Sequence, residues 1–204
     1  MIGIINYGMG NLQSVKNSLD YLHIPNKFVN LSPEMSSCDK LILPGVGAFG
    51  LAMKQLSELK FIEPIKEFVA SGKPLLGICL GMQLLLDSSE EHGNNAGLGL
   101  IRGQVLSFKE KIANLPIPHV GWNDIFFKKE SKLLNNVEDG ASCYFVHSFY
   151  CDLTDKKEVA STTDYGFNFD SSIESGNIFG CQFHPEKSQR VGLAILENFS
   201  KIVC

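Results

Sequence analysis

Along the first hundred residues, short apolar runs alternate with stretches whose apolar positions recur at helical spacing. Ile2–Asn6 is an apolar run, and after a Tyr7–Asn11 turn Leu12, Val15, Leu19 and Leu22 mark one face of a helix that stops near Pro25. Lys27–Asn30 and Lys40–Leu43 predict two further strands. The glycine-rich Pro44–Gly50 leads into one long helix carrying Met53, Leu56, Ile62, Ile65 and Phe68, ended by Gly72. Pro74–Ile78 is apolar throughout, as strands covered on both faces are, and Met82–Leu86 opens another helix. The alternation predicts an α/β fold with an open, mostly parallel, doubly wound sheet flanked by helices.

From about Gly103 the texture changes. Strand candidates at Gln104–Phe108, Tyr144–Tyr150, Glu158–Thr163 and Ile178–Phe183 are separated by polar turns, which predicts extra antiparallel strands in the second half. A closing helix from Ser188 to about Ile202 gathers Val191, Ala194, Ile195, Leu196 and Phe199 on one side. No repeat, low-complexity tract or linker interrupts the chain, and its 204 residues read as a single domain, 1–204.

Composition narrows the partners. The 18 basic and 22 acidic side chains leave a net charge of −4, so the basic footprint of a nucleic-acid binder is missing and no nucleic acid is expected. No apolar run approaches the roughly 18 residues that a membrane span requires. The N-terminus reads as a strand rather than a leader, which makes the cytoplasm the expected compartment. Cys38, Cys79, Cys143, Cys151, Cys181 and Cys204 form no C-x-x-C pair, so neither a disulfide framework nor a zinc knuckle is predicted. Most read as buried small hydrophobes, and no metal and no cofactor is expected.

Cys79 stands apart. Gly77-Ile78-Cys79-Leu80-Gly81-Met82-Gln83 places it between an apolar strand and a helix, the thiol counterpart of a nucleophile elbow. The glycines let the backbone bend sharply, and the helix N-terminus favours thiolate over thiol. A thiolate nucleophile needs an imidazole, and the imidazole a group to orient it. His184 and Glu186 in Phe183-His184-Pro185-Glu186-Lys187 supply both: the residue before a proline is biased to extended geometry, so side chains two apart can share a side. His23 and His92 lie in polar helix-end or loop contexts, and His119 and His147 lack a carboxylate two residues away. Pro44-Gly45-Val46-Gly47, just after a strand, could turn backbone N–H groups toward an oxyanion.

Together these residues resemble the class I glutamine amidotransferases. PGVGAFG, GICLGMQ and HPEKS carry the likeness, which runs nearly end to end through NYGMGNLQSV, IPHVGWN, YFVHSFY and HPEKSQRVGLAILENF. The resemblance implies that Cys79 attacks the carboxamide of L-glutamine, His184 passes the proton to leaving ammonia, and Glu186 orients His184. Val46, Gly47 and Leu80 would supply oxyanion donors, and Gln83, Glu91, Ser148 and Phe149 would hold the glutamine head group. Asn11, Trp122, Tyr144 and Lys187 match positions that meet a separate (β/α)₈-barrel synthase subunit, the ammonia acceptor in a heterodimer. Each of these has a plainer alternative: Trp122 as core, Asn11 as a helix N-cap, Lys187 as a solvated charge. Two positions depart from the family pattern, Asn6 where many relatives carry an acid and Phe149 where tyrosine is frequent.

A partner is also expected on chemical grounds. Ammonia released into neutral water is mostly protonated and no longer nucleophilic, and the chain has no P-loop with which to activate an acceptor through ATP. Because an uncoupled glutaminase wastes glutamine, the Gly45–Gly47 segment is expected to stay misaligned until the synthase is occupied; glycines make such a peptide flip cheap. The competing readings are an amidotransferase subunit feeding another acceptor, such as a surface-sugar amidation enzyme, and a stand-alone cysteine hydrolase.

Overall fold

The computed structural model describes residues 1–203; Cys204 lies outside the described residues. Strands β1 (Ile2–Ile5), β2 (Asn26–Val29), β3 (Lys40–Gly45), β4 (Leu75–Cys79) and β13 (Ile178–Cys181) run parallel in the spatial order β2-β1-β3-β4-β13. The pleat divides their side chains between two cores. Ile5, Leu41, Leu43 and Leu75 face α2 (Phe49–Glu58), α3 (Ile62–Ala70) and α4 (Leu80–Leu84). Ile2, Ile4, Ile42, Leu76 and Ile78 face α1 (Leu12–Tyr21) and α5 (Gln189–Lys201), whose Val15, Leu19, Ile195, Leu196 and Phe199 are buried. With both faces covered, β4 has no solvated side, and every one of its residues is buried.

Beyond β13 the sheet turns antiparallel through β12 (Asn168–Ser175), β10 (Phe149–Leu153) and β7 (Gly103–Ser107), then ends in the short β5 (Ser88–Ser89) and β6 (Asn95–Ala96). Strand β11 (Val159–Asp164) pairs β12 with β8 (His119–Phe127), which forms a ladder with β9 (Ala141–His147). The predicted architecture is therefore present, a parallel doubly wound half followed by an antiparallel half.

Local expectations are corrected in four places. The long helix after Pro44–Gly50 is two helices. Lys60, at φ 56, ends α2 in a left-handed turn, its N–H bonding Ser57 O at 3.0 Å while Phe61 N–H reaches back to Leu56 O at 2.8 Å. Pro64, which has no N–H and would clash with the preceding turn of a continuous helix, is accommodated in the first turn of α3. The single strand Tyr144–Tyr150 is β9 and β10, broken at Ser148 where the chain leaves one ladder for another. β8 escaped the pattern because only His119 and Ile125 on it are buried. β12 escaped because its buried Ser171 and Ser172 are polar; they are satisfied by Ser161 Oγ at 2.9 and 2.6 Å.

Candidate active site

Register alone gathers the candidate chemistry. Gly45 lies opposite Cys79 across β3–β4, and Ile78 lies opposite Cys181 across β4–β13. The residues just beyond the carboxyl ends of these three strands are Val46 and Gly47, Leu80, and Gln182 to His184. Ligands in open α/β sheets bind at such an edge. Here a cavity of about 430 Å³ is lined by Val46, Gly47, Cys79, Leu80, Gln83, Glu91, Ser148, Phe149 and Lys187, with Pro118, Val146 and His147.

The elbow is tight. Cys79 takes φ 54 and ψ −109, outside the regions a side chain normally occupies. The turn closes only because Gly81 has no Cβ: one built there would stand 1.7 Å from Leu43 O. Gly47, at φ 107, also requires glycine, and Val46 beside it is exposed.

Behind the cavity His184 Nδ1 and Glu186 Oε1 are 2.8 Å apart, with both side chains almost wholly buried. His184 is held at both backbone groups, its N–H bonding Tyr144 O at 2.9 Å and its carbonyl accepting from Ser188 Oγ at 2.7 Å. Its Nε2, the nitrogen turned away from Glu186, has no hydrogen-bond partner among the described residues. Burial works against a charged imidazole, but the neighbouring Cys79 and Glu186 side chains outweigh it and raise the pKa from 6.5 to about 10. The Cys79 Sγ donates weakly to Val146 O at 3.9 Å and accepts from Gln182 Nε2 at 3.7 Å.

A second histidine site is a buried pair, where the β8–β9 register sets His119 directly opposite His147. His119 Nδ1 and His147 Nε2 are 3.0 Å apart, His147 Nδ1 is 2.8 Å from Phe149 O, and Asn123 Nδ2 is 3.2 Å from His119 Nε2. A carbonyl only accepts and the Asn123 amide, which also donates to Asp164 O at 2.8 Å, donates at its other end, so both rings are neutral Nδ1–H tautomers. Burial depresses His119 to about 4 and His147 to about 3, in accord.

The substrate-binding candidates divide. Gln83 is buried, and its Nε2 donates to Phe149 O at 3.0 Å and to Gln182 Oε1 at 3.1 Å, so its amide hydrogens are committed inside the protein. Glu91 Oε2 accepts from Phe49 N–H at 2.6 Å, capping the N-terminus of α2 and leaving one carboxylate oxygen for a ligand. Ser148 and Phe149 form the wall where β9 gives way to β10.

Trp122 is 49% exposed, so it is not core. It lies opposite Tyr144 across the β8–β9 ladder in an edge-to-face contact, and Lys187 Nζ stands 5.7 Å from the Tyr144 ring centre. Lys187 thus belongs both to this exposed patch and to the cavity wall. Asn11 occupies the N-cap position of α1 but makes no side-chain capping hydrogen bond; α1 packs against the short turn Pro185–Lys187. Asn6 is explained by its neighbours: it donates to Asn30 Oδ1 at 2.8 Å and accepts from Gly8 N–H at 3.3 Å, and an ionised acid could only do the second.

Val146, His147 and Gln182 were not singled out from the sequence. Gln182 had the better signal, being polar at the end of an otherwise apolar strand two residues before His184.

The family profile described as Glutamine amidotransferase class-I matches residues 3–203. Similar curated proteins include imidazole glycerol phosphate synthase subunit HisH of Aquifex aeolicus, 48% identical over 199 residues that cover 97% of this chain and 95% of that protein. The protein of the same name from Bacillus subtilis is 47% identical over 206 residues, covering 99% and 96%. Among solved structures, that of PurLQS from Thermotoga maritima aligns over 97% of this chain and 96% of the other with a TM-score of 0.75 at 20% identity, a likeness of fold.

Proposed function

The chain belongs to the class I glutamine amidotransferases, and from that premise we propose that it is the glutaminase subunit of an imidazole glycerol phosphate synthase, working as one domain in the cytoplasm. The observation that carries the chemistry is the buried Glu186–His184 pair at 2.8 Å beneath a strained Cys79 on the wall of an open cavity. The Cys79 thiol exchanges its weak bond to Val146 O for His184 Nε2 and gives up its proton there, so that the protonated imidazole of His184 faces a thiolate, and the sulfur attacks the γ-carboxamide carbon of L-glutamine. Backbone N–H groups of Gly47 and Leu80, with the Val46 peptide, stabilise the oxyanion. His184 returns the proton to the departing nitrogen as ammonia leaves, and a water then cleaves the γ-glutamyl thioester to glutamate. Glu91, Ser148 and Phe149 hold the head group, and Gln83 shapes the wall from behind.

The ammonia passes to a (β/α)₈-barrel synthase subunit seated on the patch of Trp122, Tyr144 and Lys187, with Asn11 at its edge. That subunit completes the conversion of the precursor PRFAR to imidazole glycerol phosphate and AICAR in histidine biosynthesis. Lys187, shared by cavity wall and patch, supports a direct passage between them. The exposed Val46–Gly47 segment supports activation by the partner, whose occupancy would align the donors.

The test pairs the chain with its synthase subunit. Cys79→Ala should abolish glutamine-dependent synthesis and leave ammonia-dependent synthesis intact, while the isolated parent chain hydrolyses glutamine far more slowly than the occupied complex. Loss of both nitrogen sources in the variant would replace a catalytic role by a scaffolding one. Full glutaminase activity of the isolated chain would remove the regulatory part.

A further inference from the structure

Gln182 is fully buried, at the end of β13, and belongs to neither the Cys79–His184–Glu186 set nor the head-group candidates. Its Nε2 lies 3.7 Å from Cys79 Sγ. Which end of a glutamine amide faces a sulfur is ordinarily ambiguous, but here the surroundings decide it. The Phe149 carbonyl can only accept, so the Gln83 atom 3.0 Å from it is the nitrogen. That nitrogen's second hydrogen faces Gln182 at 3.1 Å, so Gln182 presents its oxygen there and its own amide hydrogens to the sulfur. The reversed orientation would set two donors against each other and turn an oxygen on the nucleophile. Phe149 O also accepts from His147 Nδ1, so its two lone pairs fix the direction of both strings of hydrogen bonds.

We propose that Gln182 is a positioning residue for the nucleophile: locked by Gln83, it donates an N–H to Cys79 Sγ, favouring the thiolate and steering the sulfur toward His184. The proposal rests on Cys79 being the reactive thiol and deepens that reading. It involves no covalent change at Gln182; the proton leaving sulfur still goes to His184 Nε2. A donor to the charged form makes ionisation easier, and its loss makes it harder.

Alkylation of Cys79 by iodoacetamide, followed across pH by mass spectrometry of the peptide that carries it, tests this in the full chain without glutamine turnover. Gln182→Met keeps the side-chain length and removes the donor; Gln182→Glu sets an oxygen against the sulfur. Both should shift the alkylation profile to higher pH, with the rate at pH 7 lowered about tenfold in Gln182→Met and further in Gln182→Glu. In the glutaminase assay kcat should fall in parallel with little change in KM. Circular dichroism and urea unfolding identify any variant that does not fold, and the profile of the folded one then decides. A folded Gln182→Met chain whose profile superposes on the parent's overturns the proposal, even if glutaminase activity has dropped. A parent chain that hydrolyses no glutamine even when paired with its occupied synthase subunit, while the variants still shift the profile, would retain the hydrogen bond and reject the glutaminase reading.

Discussion

Two buried histidine sites hold different charge: His184, just beyond β13, is charged, and the His119–His147 pair on β8 and β9 is neutral. His184 is raised to about 10, whereas His119 and His147 are depressed to about 4 and 3. Burial pushes all three the same way, toward the neutral ring. The difference lies in the partners: His184 has Glu186 and the neighbouring Cys79 sulfur, whereas the other two hydrogen-bond to each other, an amide and a backbone carbonyl, none of them charged. A histidine's neighbours, not its depth, decide whether it can take a proton from a thiol or serve as a neutral strut.

Breaking the charged cluster should have the largest effect. Glu186→Gln removes the carboxylate that helps hold the imidazole charged, so the His184 pKa should fall from about 10 and glutaminase kcat should drop about 10³- to 10⁴-fold, with KM little changed. Steady-state kinetics and an imidazole ¹⁵N NMR titration would check both.

The clusters should also separate along the pH axis. Between pH 6.5 and about 4, unfolded histidines are protonated while native His119 and His147 are not, so stability is full above 6.5 and is lost as pH falls through that window. At about 1.4 kcal/mol per unit of depression, roughly 3 kcal/mol or more is expected in urea unfolding. His184 acts in the opposite sense: native protonated and unfolded neutral between 6.5 and about 10, it contributes stability below 6.5 that is lost as pH rises through 10.

His147→Phe sharpens the contrast at the neutral end. It strands the His119 Nδ1–H without an acceptor and removes one donor from Phe149 O, at a cost of about 2–3 kcal/mol of stability. Because Phe149 lines the cavity, KM for glutamine should rise more than kcat falls. Asn123→Ala, at the half-exposed end of the same string, should cost only about 1 kcal/mol and leave kinetics near the parent's.

What could be read in the sequence follows from the same physics. The parallel half was legible because strands covered on both faces must be apolar: β3 and β4 announce themselves, and the glycines around Cys79 and after Pro44 mark where the chain bends at the sheet edge. His184 and Glu186 were legible because they are two residues apart. The His119–His147 pair was not, since the residues are 28 apart and meet only through the β8–β9 register. The Gln83–Gln182 contact joins residues 99 apart in the same way. Strand β12 stayed hidden because its buried Ser171 and Ser172, both satisfied by Ser161 of β11, do not form an apolar stripe.

Rapid acid quench of the protein during turnover of labelled glutamine, with peptide mapping, tests the central claim most directly. A γ-glutamyl label on the peptide containing Cys79, absent in Cys79→Ala, is the predicted result. Steady turnover with no label on that peptide, or with label on another residue, would contradict it.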